Sequence, residues 1–328
     1  MNFLKSLLFV IIFLSNTEVL AISKKKAALP IERIQTNLVV NAETGKILHN
    51  VNGNEKIYPA SLTKLMTLYM AFESIRDKRL SLDKQLPVSI KAQNIQPSKL
   101  GLRAGGTIST KDAIMATMVK SANDAAIVIA EELSGSEEEF AVEMTKKAHQ
   151  LGMKNSHFYN STGLPHIKQK STAVDLAKLT MALIRDFPEF YSWFDNKDSF
   201  IYNGTTIFGH NKVNRHYEGA KGMKTGYTYL AGYNLITTAS KNNKNLIGIV
   251  TGSPTPTHRN NKMVELLDHH FGTKTTFYDK PSTVLASTKK QTKSYAAVKK
   301  QKSYGKKLAK KPNLKKKVSK VNKRTIRT

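Results

Sequence analysis

The sequence predicts a mixed fold of the α/β (α+β) class, in which an antiparallel sheet built from both ends of the chain is flanked by helices and interrupted by a helical subdomain. Three observations support this prediction. β-branched segments lie near residue 40, helical periodicity dominates from about residue 61 to residue 184, and β-rich segments return after residue 217. Because 40% of the 328 residues are hydrophobic, the chain can bury a substantial core.

The first strands are predicted to form a β-hairpin. Residues 38–40 and 46–49 contain apolar, β-branched residues, and Glu43-Thr44-Gly45 between them has the composition of a turn. After Pro59 and Ala60, apolar residues recur at helical spacing: Leu62, Leu65, Met66, Tyr69, Met70 and Phe72. This pattern predicts a largely buried helix that starts near Ser61.

Helices are predicted for the middle of the chain. Residues 111–133 keep helical periods on both sides of Ser121, which indicates two helices with a break there. Residues 137–151 predict another helix, and residues 171–184 predict a further one with hydroxyl caps. Towards the C-terminus, residues 232–238 and 246–251 are β-rich around an Asn242-Asn243 turn and predict a hairpin. A closing helix is predicted over residues 263–271.

The N-terminus is typical of an exported protein. Lys5 precedes an apolar run over residues 7–14, and Val19 and Ala21 are small residues placed as at a cleavage site. Residues 1–21 are therefore predicted to be a signal peptide, followed by a basic leader over residues 22–33. The apolar run is too short to span a bilayer, which favours cleavage after Ala21 over a retained anchor and leaves no transmembrane helix in the mature protein.

The formal net charge of +28 is concentrated in the segment 276–328. From residue 286 onward there are 15 Lys, 2 Arg and no acidic residue, so we expect no packed core there. An anionic envelope polymer or a membrane surface is the expected partner of this tail, and an unstructured solvated extension is the alternative. Nucleic acid is disfavoured as a partner because only Tyr295 and Tyr304 could stack on bases. The absence of Cys excludes disulfides, a thiol nucleophile and a lipoprotein anchor.

A Ser-x-x-Lys sequence occurs five times, starting at Ser23, Ser61, Ser81, Ser287 and Ser303. Only Ser61 lies at the start of a strongly apolar helix. Residues three apart share one helix face, so the Lys64 amine can reach the Ser61 hydroxyl. The N–H groups of a helix start are also available near that hydroxyl.

Two more short motifs follow in order. Ser121-Ala122-Asn123 falls at the predicted helix break, where plain helix capping is the alternative interpretation. Lys224-Thr225-Gly226 occurs once and precedes the second hairpin. An edge strand that presents Lys224 and Thr225 outward could bind a carboxylate, and Gly226 would allow a substrate to approach the backbone. Alone, this tripeptide could equally be an ordinary turn before a strand.

Taken together, the three motifs resemble those of the penicillin-interacting serine enzymes. The sequences around the motifs are similar to those of the low-molecular-weight D-Ala-D-Ala carboxypeptidases, and this resemblance covers roughly residues 34–270. The similar segments are Tyr58-Pro-Ala-Ser-Leu-Thr-Lys-Leu-Met-Thr, Lys120-Ser-Ala-Asn-Asp-Ala-Ala, Gly222-Met-Lys-Thr-Gly-Tyr-Thr and Ala231-Gly-Tyr-Asn-Leu. The resemblance implies a serine β-lactamase/DD-peptidase-like fold with a catalytic domain over residues 34–275. It also implies peptidoglycan stem peptides as substrates and β-lactams as covalent inhibitors.

The resemblance assigns a role to each motif residue. Ser61 would be the acylated nucleophile, Lys64 its general base and Ser121 the proton relay to the leaving D-alanine. The expected substrate-binding residues are Asn123, Lys224, Thr225, Gly226, Tyr227 and Arg259. The backbone N–H groups of Ser61 and Tyr227 would form the oxyanion hole, and Arg259 would assist Lys224 and Thr225 at the terminal carboxylate. No metal or cofactor is expected.

Two departures from related enzymes bear on function. Class A β-lactamases carry a deacylating Glu on a loop after the second motif, whereas residues 155–171 contain no acidic residue. A slow acyl-enzyme is therefore expected with β-lactams. The chain also ends in its Lys-rich tail instead of the β-rich domain and amphipathic anchor common in the family. The alternatives to a carboxypeptidase are a DD-endopeptidase that uses the same residues and a non-catalytic envelope-binding protein.

Overall fold

The structure is a computed structural model that describes residues 33–196 and 198–276. The predicted signal peptide, the basic leader up to residue 32 and the Lys-rich tail from residue 277 lie outside the described residues. The predicted domain boundaries at residues 34 and 275 therefore stay predictions. Within the described ranges, no helix combines the length and the apolar composition needed to cross a membrane.

The described part of the chain contains both strands and helices. Its strands are β1 (Thr36–Asn41), β2 (Ile47–Val51), β3 (Gln85–Pro87), β4 (Thr107–Ser109), β5 (Ser199–Tyr202), β6 (Thr205–Phe208), β7 (Ala220–Thr228), β8 (Gly232–Lys241) and β9 (Lys244–Ser253). Its α-helices are α1 (Lys64–Arg76), α2 (Ile90–Asn94), α3 (Thr110–Met115), α4 (Asn123–Ser134), α5 (Glu137–Gln150), α6 (Ala173–Asp186), α7 (Pro188–Tyr191), α8 (Lys212–His216) and α9 (Pro256–Phe271). Short 3-10 turns span Ala60–Thr63 and Ser192–Phe194, and one π-helical turn spans Ala116–Lys120.

A five-stranded antiparallel sheet joins the two ends of the described chain, in the order β2-β1-β9-β8-β7. Strand β1 pairs with β9 from Thr36 opposite Thr251 to Asn41 opposite Leu246. This pairing confirms the predicted α+β class and the predicted sheet built from both chain ends. Strand β7, which carries the Lys-Thr-Gly motif, lies at one edge of the sheet.

The sheet buries both of its faces. Successive side chains of a strand point to opposite faces, and β1 shows this alternation. Leu38 and Val40 belong to the larger core, which the helical subdomain supplies through α1, α4, α5 and α6. Val39 belongs to a second core on the other face, against Met263 and Leu267 of α9. The helical insert and the closing helix therefore hold the sheet between two layers.

Some elements differ from the prediction. The closing helix begins at Pro256, seven residues before the predicted start at Met263, because Thr255 caps it and Pro256 suits its first position. The short antiparallel strand pairs β3–β4 and β5–β6 were not predicted, since their strands are only three or four residues long. Ser61 lies in the 3-10 turn Ala60–Thr63, and α1 itself begins at Lys64.

Candidate active site

Ser61 and Lys64 meet at the junction between a 3-10 turn and α1. The Lys64 Nζ atom lies 3.1 Å from the Ser61 Oγ atom. Lys64 has no solvent-exposed surface, and the helix that follows it is almost entirely buried. The structure therefore has the geometry that the Ser-x-x-Lys spacing predicted, with the amine held inside the protein against the hydroxyl.

Two carbonyl oxygens hold the Lys64 amine from the other side. Its Nζ donates to Asn123 Oδ1 at 2.7 Å and to the backbone carbonyl of Thr162 at 2.6 Å. Carbonyl oxygens only accept hydrogen bonds. A neutral amine has two N–H groups for these two acceptors, which leaves its lone pair for the hydroxyl of Ser61. The arrangement thus suits an uncharged lysine that accepts a proton from the serine.

The electrostatics favour the same protonation state. Burial lowers the pKa of Lys64 well below its usual value, and the Lys224 cation contributes a smaller shift in the same direction. The carboxylates of Glu137 and Asp124 act in the opposite direction but are weaker. A buried amine with a depressed pKa next to a hydroxyl can act as a general base.

The second motif lies at the predicted break between two helices. The π-helical turn Ala116–Lys120 ends at Ser121, whose backbone is left-handed with φ 60° and ψ 35°, and α4 then begins at Asn123. Besides contacting Lys64, Asn123 donates from Nδ2 to the carbonyl of Pro97. Both polar atoms of this amide are therefore bonded within the protein. The expected contact of Asn123 with substrate, and the expected proton relay by the buried Ser121, stay predictions.

Lys224 and Thr225 lie on β7 but are not presented outward. Their exposures are only 2% and 7%, so the expectation of two outward-facing side chains is wrong. Although β7 is an edge strand, the turn carrying Ser61 and the segment Ser192–Phe194 pack against it. Lys224 Nζ donates to the carbonyl of Thr225 at 3.1 Å. Burial lowers the pKa of Lys224 to about 7, with Asp198 opposing the shift and Arg259 adding to it.

Gly226 is required for a reason that the sequence did not reveal. A Cβ atom at this position would lie 3.0 Å from the backbone nitrogen of Ser61 and 3.3 Å from that of Leu62. Glycine thus lets β7 approach the turn that carries the serine, whereas the sequence interpretation was close approach of a substrate. Tyr227 follows, half exposed, with its ring stacked on Tyr233 at 4.2 Å.

Arg259 lies in α9, which packs against β8, the neighbour of the strand that carries the Lys-Thr-Gly motif. Its guanidinium is buried, contacts Asn260 Oδ1 at 2.8 Å and lies 3.5 Å from the carbonyl of Asn234. Asn234 is opposite Gly226 in the β7–β8 pair. Arg259 is therefore on the helix and not on the preceding loop, and its positive charge lies near Lys224, whose pKa it helps to lower.

One contributor to the site, the segment 161–163, was not predicted from the sequence. The carbonyl of Thr162 binds Lys64, and any residue type can supply a carbonyl, so no motif identifies it. The next residue, Gly163, has φ +84°, and a Cβ atom there would lie 1.9 Å from the carbonyl oxygen of Ala60. This segment therefore packs directly on the turn that carries Ser61.

Replacing Gly163 with alanine is expected to destabilise the fold and to displace the turn that carries Ser61. Gly105 offers a matched control, because its φ of +81° is similar but no atom lies within 4 Å of a Cβ there. Backbone strain alone should cost about 1–2 kcal/mol in Gly105→Ala. The collision in Gly163→Ala should add about 1–3 kcal/mol, measured by urea unfolding. Equal destabilisation in the two variants would contradict this packing.

The fold and the arrangement of Ser61, Lys64 and the Lys-Thr-Gly strand are those of the penicillin-interacting serine class that the motifs resemble. The chain belongs to the D-alanyl-D-alanine carboxypeptidase family, whose model matches residues 23–255.

Known proteins of this kind align over most of the described residues. The D-alanyl-D-alanine carboxypeptidase DacF of Bacillus subtilis is 33% identical over 238 residues, which cover 71% of this chain and 61% of that protein. A D-alanyl-D-alanine endopeptidase of Pseudomonas aeruginosa is 32% identical over 253 residues, covering 73% of this chain and 80% of that protein. The ampicillin-bound crystal structure of penicillin-binding protein D2 from Listeria monocytogenes is similar with a TM-score of 0.65 and 29% identity, covering 71% of this chain and 95% of that one. The chain thus spans about three-fifths of the length of DacF.

Proposed function

We propose that this protein is a serine-type D-Ala-D-Ala carboxypeptidase, which removes the terminal D-alanine from peptidoglycan stem pentapeptides through an acyl-enzyme. The observation that carries the proposal is the Lys64 amine, buried, held by two carbonyl oxygens and 3.1 Å from the Ser61 hydroxyl. Binding alone would not require such a group. Membership of the D-alanyl-D-alanine carboxypeptidase family supports a peptide ending in D-Ala-D-Ala as the substrate.

In the proposed acylation, the Ser61 Oγ atom attacks the carbonyl carbon of the penultimate D-alanine and its proton passes to the Lys64 Nζ atom. The oxyanion that forms accepts hydrogen bonds from the backbone N–H groups of Ser61 and Tyr227, each contributing roughly 3 kcal/mol to transition-state stabilisation. The close packing of Gly226 on the Ser61 turn supports this pairing of donors. Ser121 relays a proton to the leaving amine as the C–N bond breaks, and water later releases the acyl group.

The terminal carboxylate of the substrate is proposed to bind at Lys224, Thr225 and Arg259. Both cationic side chains are buried, and a bound carboxylate would place an opposite charge beside them. Penicillin carries a carboxylate and a strained amide, so the same residues account for inhibition by β-lactams. The relative with bound ampicillin supports that proposal. With no acidic residue in the segment 155–171, the penicilloyl-enzyme is expected to hydrolyse slowly.

A DD-endopeptidase is the second candidate function. The same residues would cleave a D-alanyl cross-link, because only the group beyond the scissile bond differs. The relative from Pseudomonas aeruginosa, an endopeptidase matched over 80% of its length, favours keeping this candidate. The carboxypeptidase relatives favour the first. A non-catalytic envelope-binding protein is disfavoured by the complete set of motif residues.

The proposed place of action is outside the cytoplasm, in the periplasm or the extracytoplasmic cell envelope. The signal-peptide pattern over residues 1–21 and the peptidoglycan substrate support export. The Lys-rich tail would attach the enzyme to an anionic envelope polymer or to a membrane surface by charge attraction.

Product analysis tests the proposal. The purified mature protein is incubated separately with a stem pentapeptide and with a cross-linked stem dimer, and the products are identified by mass spectrometry. Release of D-alanine from the pentapeptide supports the carboxypeptidase, and selective conversion of the dimer to monomers supports the endopeptidase. A folded protein that forms no product and no penicillin adduct would exclude both.

The acylation rate is expected to depend on pH as a bell-shaped curve. At acid pH Lys64 is protonated and cannot accept the serine proton, so the limiting acylation rate falls. Above pH 7 Lys224, with a pKa of about 7, loses its charge and binds the inhibitor carboxylate less tightly. Stopped-flow acylation by a fluorescent penicillin, with thermal unfolding at each pH as control, checks this; a rate that rises steadily through alkaline pH would contradict it.

A further inference from the structure

A buried carboxylate outside the three motifs lies behind the active site. Glu137 opens α5 and is only 7% exposed. Its Oε1 atom accepts from the backbone nitrogen of Ser161 at 3.0 Å and from the Ser161 hydroxyl at 2.7 Å. Its Oε2 atom pairs with Lys91 Nζ of α2 at 2.9 Å. Both carboxylate oxygens are therefore bonded to protein, which leaves them poorly placed to activate a water for deacylation.

The segment that Glu137 holds is the one that contacts Lys64. Ser161 precedes Thr162, whose carbonyl accepts from the Lys64 amine. The carbonyl of Ser161 accepts from Thr67 Oγ1 of α1 at 2.7 Å. On its other side the segment packs on the Ser61 turn through Gly163. Ser161 and Thr162 are thus fixed between Glu137 and the helix that begins with Lys64.

We infer that Glu137 is a positioning residue for acylation, which fixes the carbonyl of Thr162 and through it the Lys64 amine against Ser61. The inference rests on the proposed function, in which Lys64 is the general base. The negative charge of Glu137 also acts on the protonation of Lys64. The charged groups near Lys64 are Lys224 on β7, Asp124 on α4 and Glu137 on α5, and Glu137 raises the pKa of Lys64.

Two variants separate the effect of position from the effect of charge. Glu137→Ala removes both acceptor oxygens from Ser161, so the acylation rate constant at its pH plateau should fall by about 10²-fold, as expected for a misplaced catalytic group. Glu137→Gln keeps one oxygen that can accept from Ser161 but loses the negative charge. Its plateau should stay near the parent, while the acid limb of the pH profile moves to lower pH because the amine of Lys64 loses its proton more readily. A purely structural role would not move that limb.

Glu138→Gln is the matched control. Glu138 is the next residue, pairs with the same Lys91 at 2.7 Å and has a side chain that is 77% exposed. This variant should match the parent in both plateau and acid limb. If Glu137→Ala does not fold, Glu137→Asp makes the same test, because its carboxylate keeps the charge but is one methylene short of Ser161.

The outcomes distinguish the inference from the proposed function. If the parent forms no penicillin adduct, the proposed function fails, and hydrogen exchange at the amides of residues 161–163 then decides whether Glu137 fixes this segment. Exchange should be faster in Glu137→Ala and unchanged in Glu138→Gln. If the parent is acylated and folded Glu137→Ala is acylated at the parental rate, the inference alone is overturned. Loss of deacylation with unchanged acylation would also overturn it, since Glu137 would then act as a hydrolytic base.

Discussion

Replacing Ser61 with alanine is expected to abolish the covalent penicillin adduct and to lower the release of D-alanine by about 10⁶-fold, the loss typical of a removed nucleophile. The alanine variant lacks the only atom that the proposal allows to be acylated. Its fold should persist, because Ser61 is only partly buried, unlike the other residues of the 3-10 turn Ala60–Thr63, and only one hydroxyl is lost. Intact-mass spectrometry after incubation with penicillin measures the adduct directly.

Ser81→Ala is the control for this experiment. Ser81 starts the other Ser-x-x-Lys sequence among the described residues, with Lys84 at the same spacing. Lys84 is paired with Glu132 and its side chain is 47% exposed, whereas Lys64 is completely buried. Ser81→Ala should keep the parental adduct and activity. An adduct that persists in Ser61→Ala would show that another residue is acylated.

The contrast between Ser61 and Ser81 explains why the sequence could locate the candidate nucleophile. The two tetrapeptides have the same spacing, and only the apolar residues that follow Ser61 predict burial. Burial lowers the pKa of Lys64. The hydrophobic pattern therefore indicated which lysine could act as a base, and the Ser-x-x-Lys spacing alone did not. The antiparallel sheet was predictable for a similar reason, since β1, β8 and β9 consist of apolar, β-branched segments separated by turns.

Contacts made by the backbone could not be predicted in this way. Any residue type could supply the carbonyl that Thr162 offers to Lys64, so the sequence does not identify this contact. The close approach of Gly226 to Ser61 depends on how two distant segments pack. Glu137 looks like an ordinary acidic residue in the first turn of a helix, where the helix dipole favours it. Its burial against Ser161 follows only from the tertiary structure. Such contacts depend on long-range packing, whereas the motif residues are recognisable by their side chains.

The same packing makes Lys64→Arg a demanding test of the proposed base. Arginine supplies N–H donors for Asn123 Oδ1 and for the carbonyl of Thr162, but its guanidinium stays charged because it is not deprotonated in proteins. It therefore cannot take the proton of Ser61, and the acylation rate should fall by about 10²–10⁴-fold, the usual contribution of a general base. The rate is measured by stopped flow with a fluorescent penicillin, and unfolding experiments show whether the larger side chain has disturbed the fold. Lys84→Arg, at the same position of the control motif, should match the parent. If a folded Lys64→Arg variant were acylated at the parental rate, the proton of Ser61 would have to go to another group, and the burial of this amine would need a different explanation.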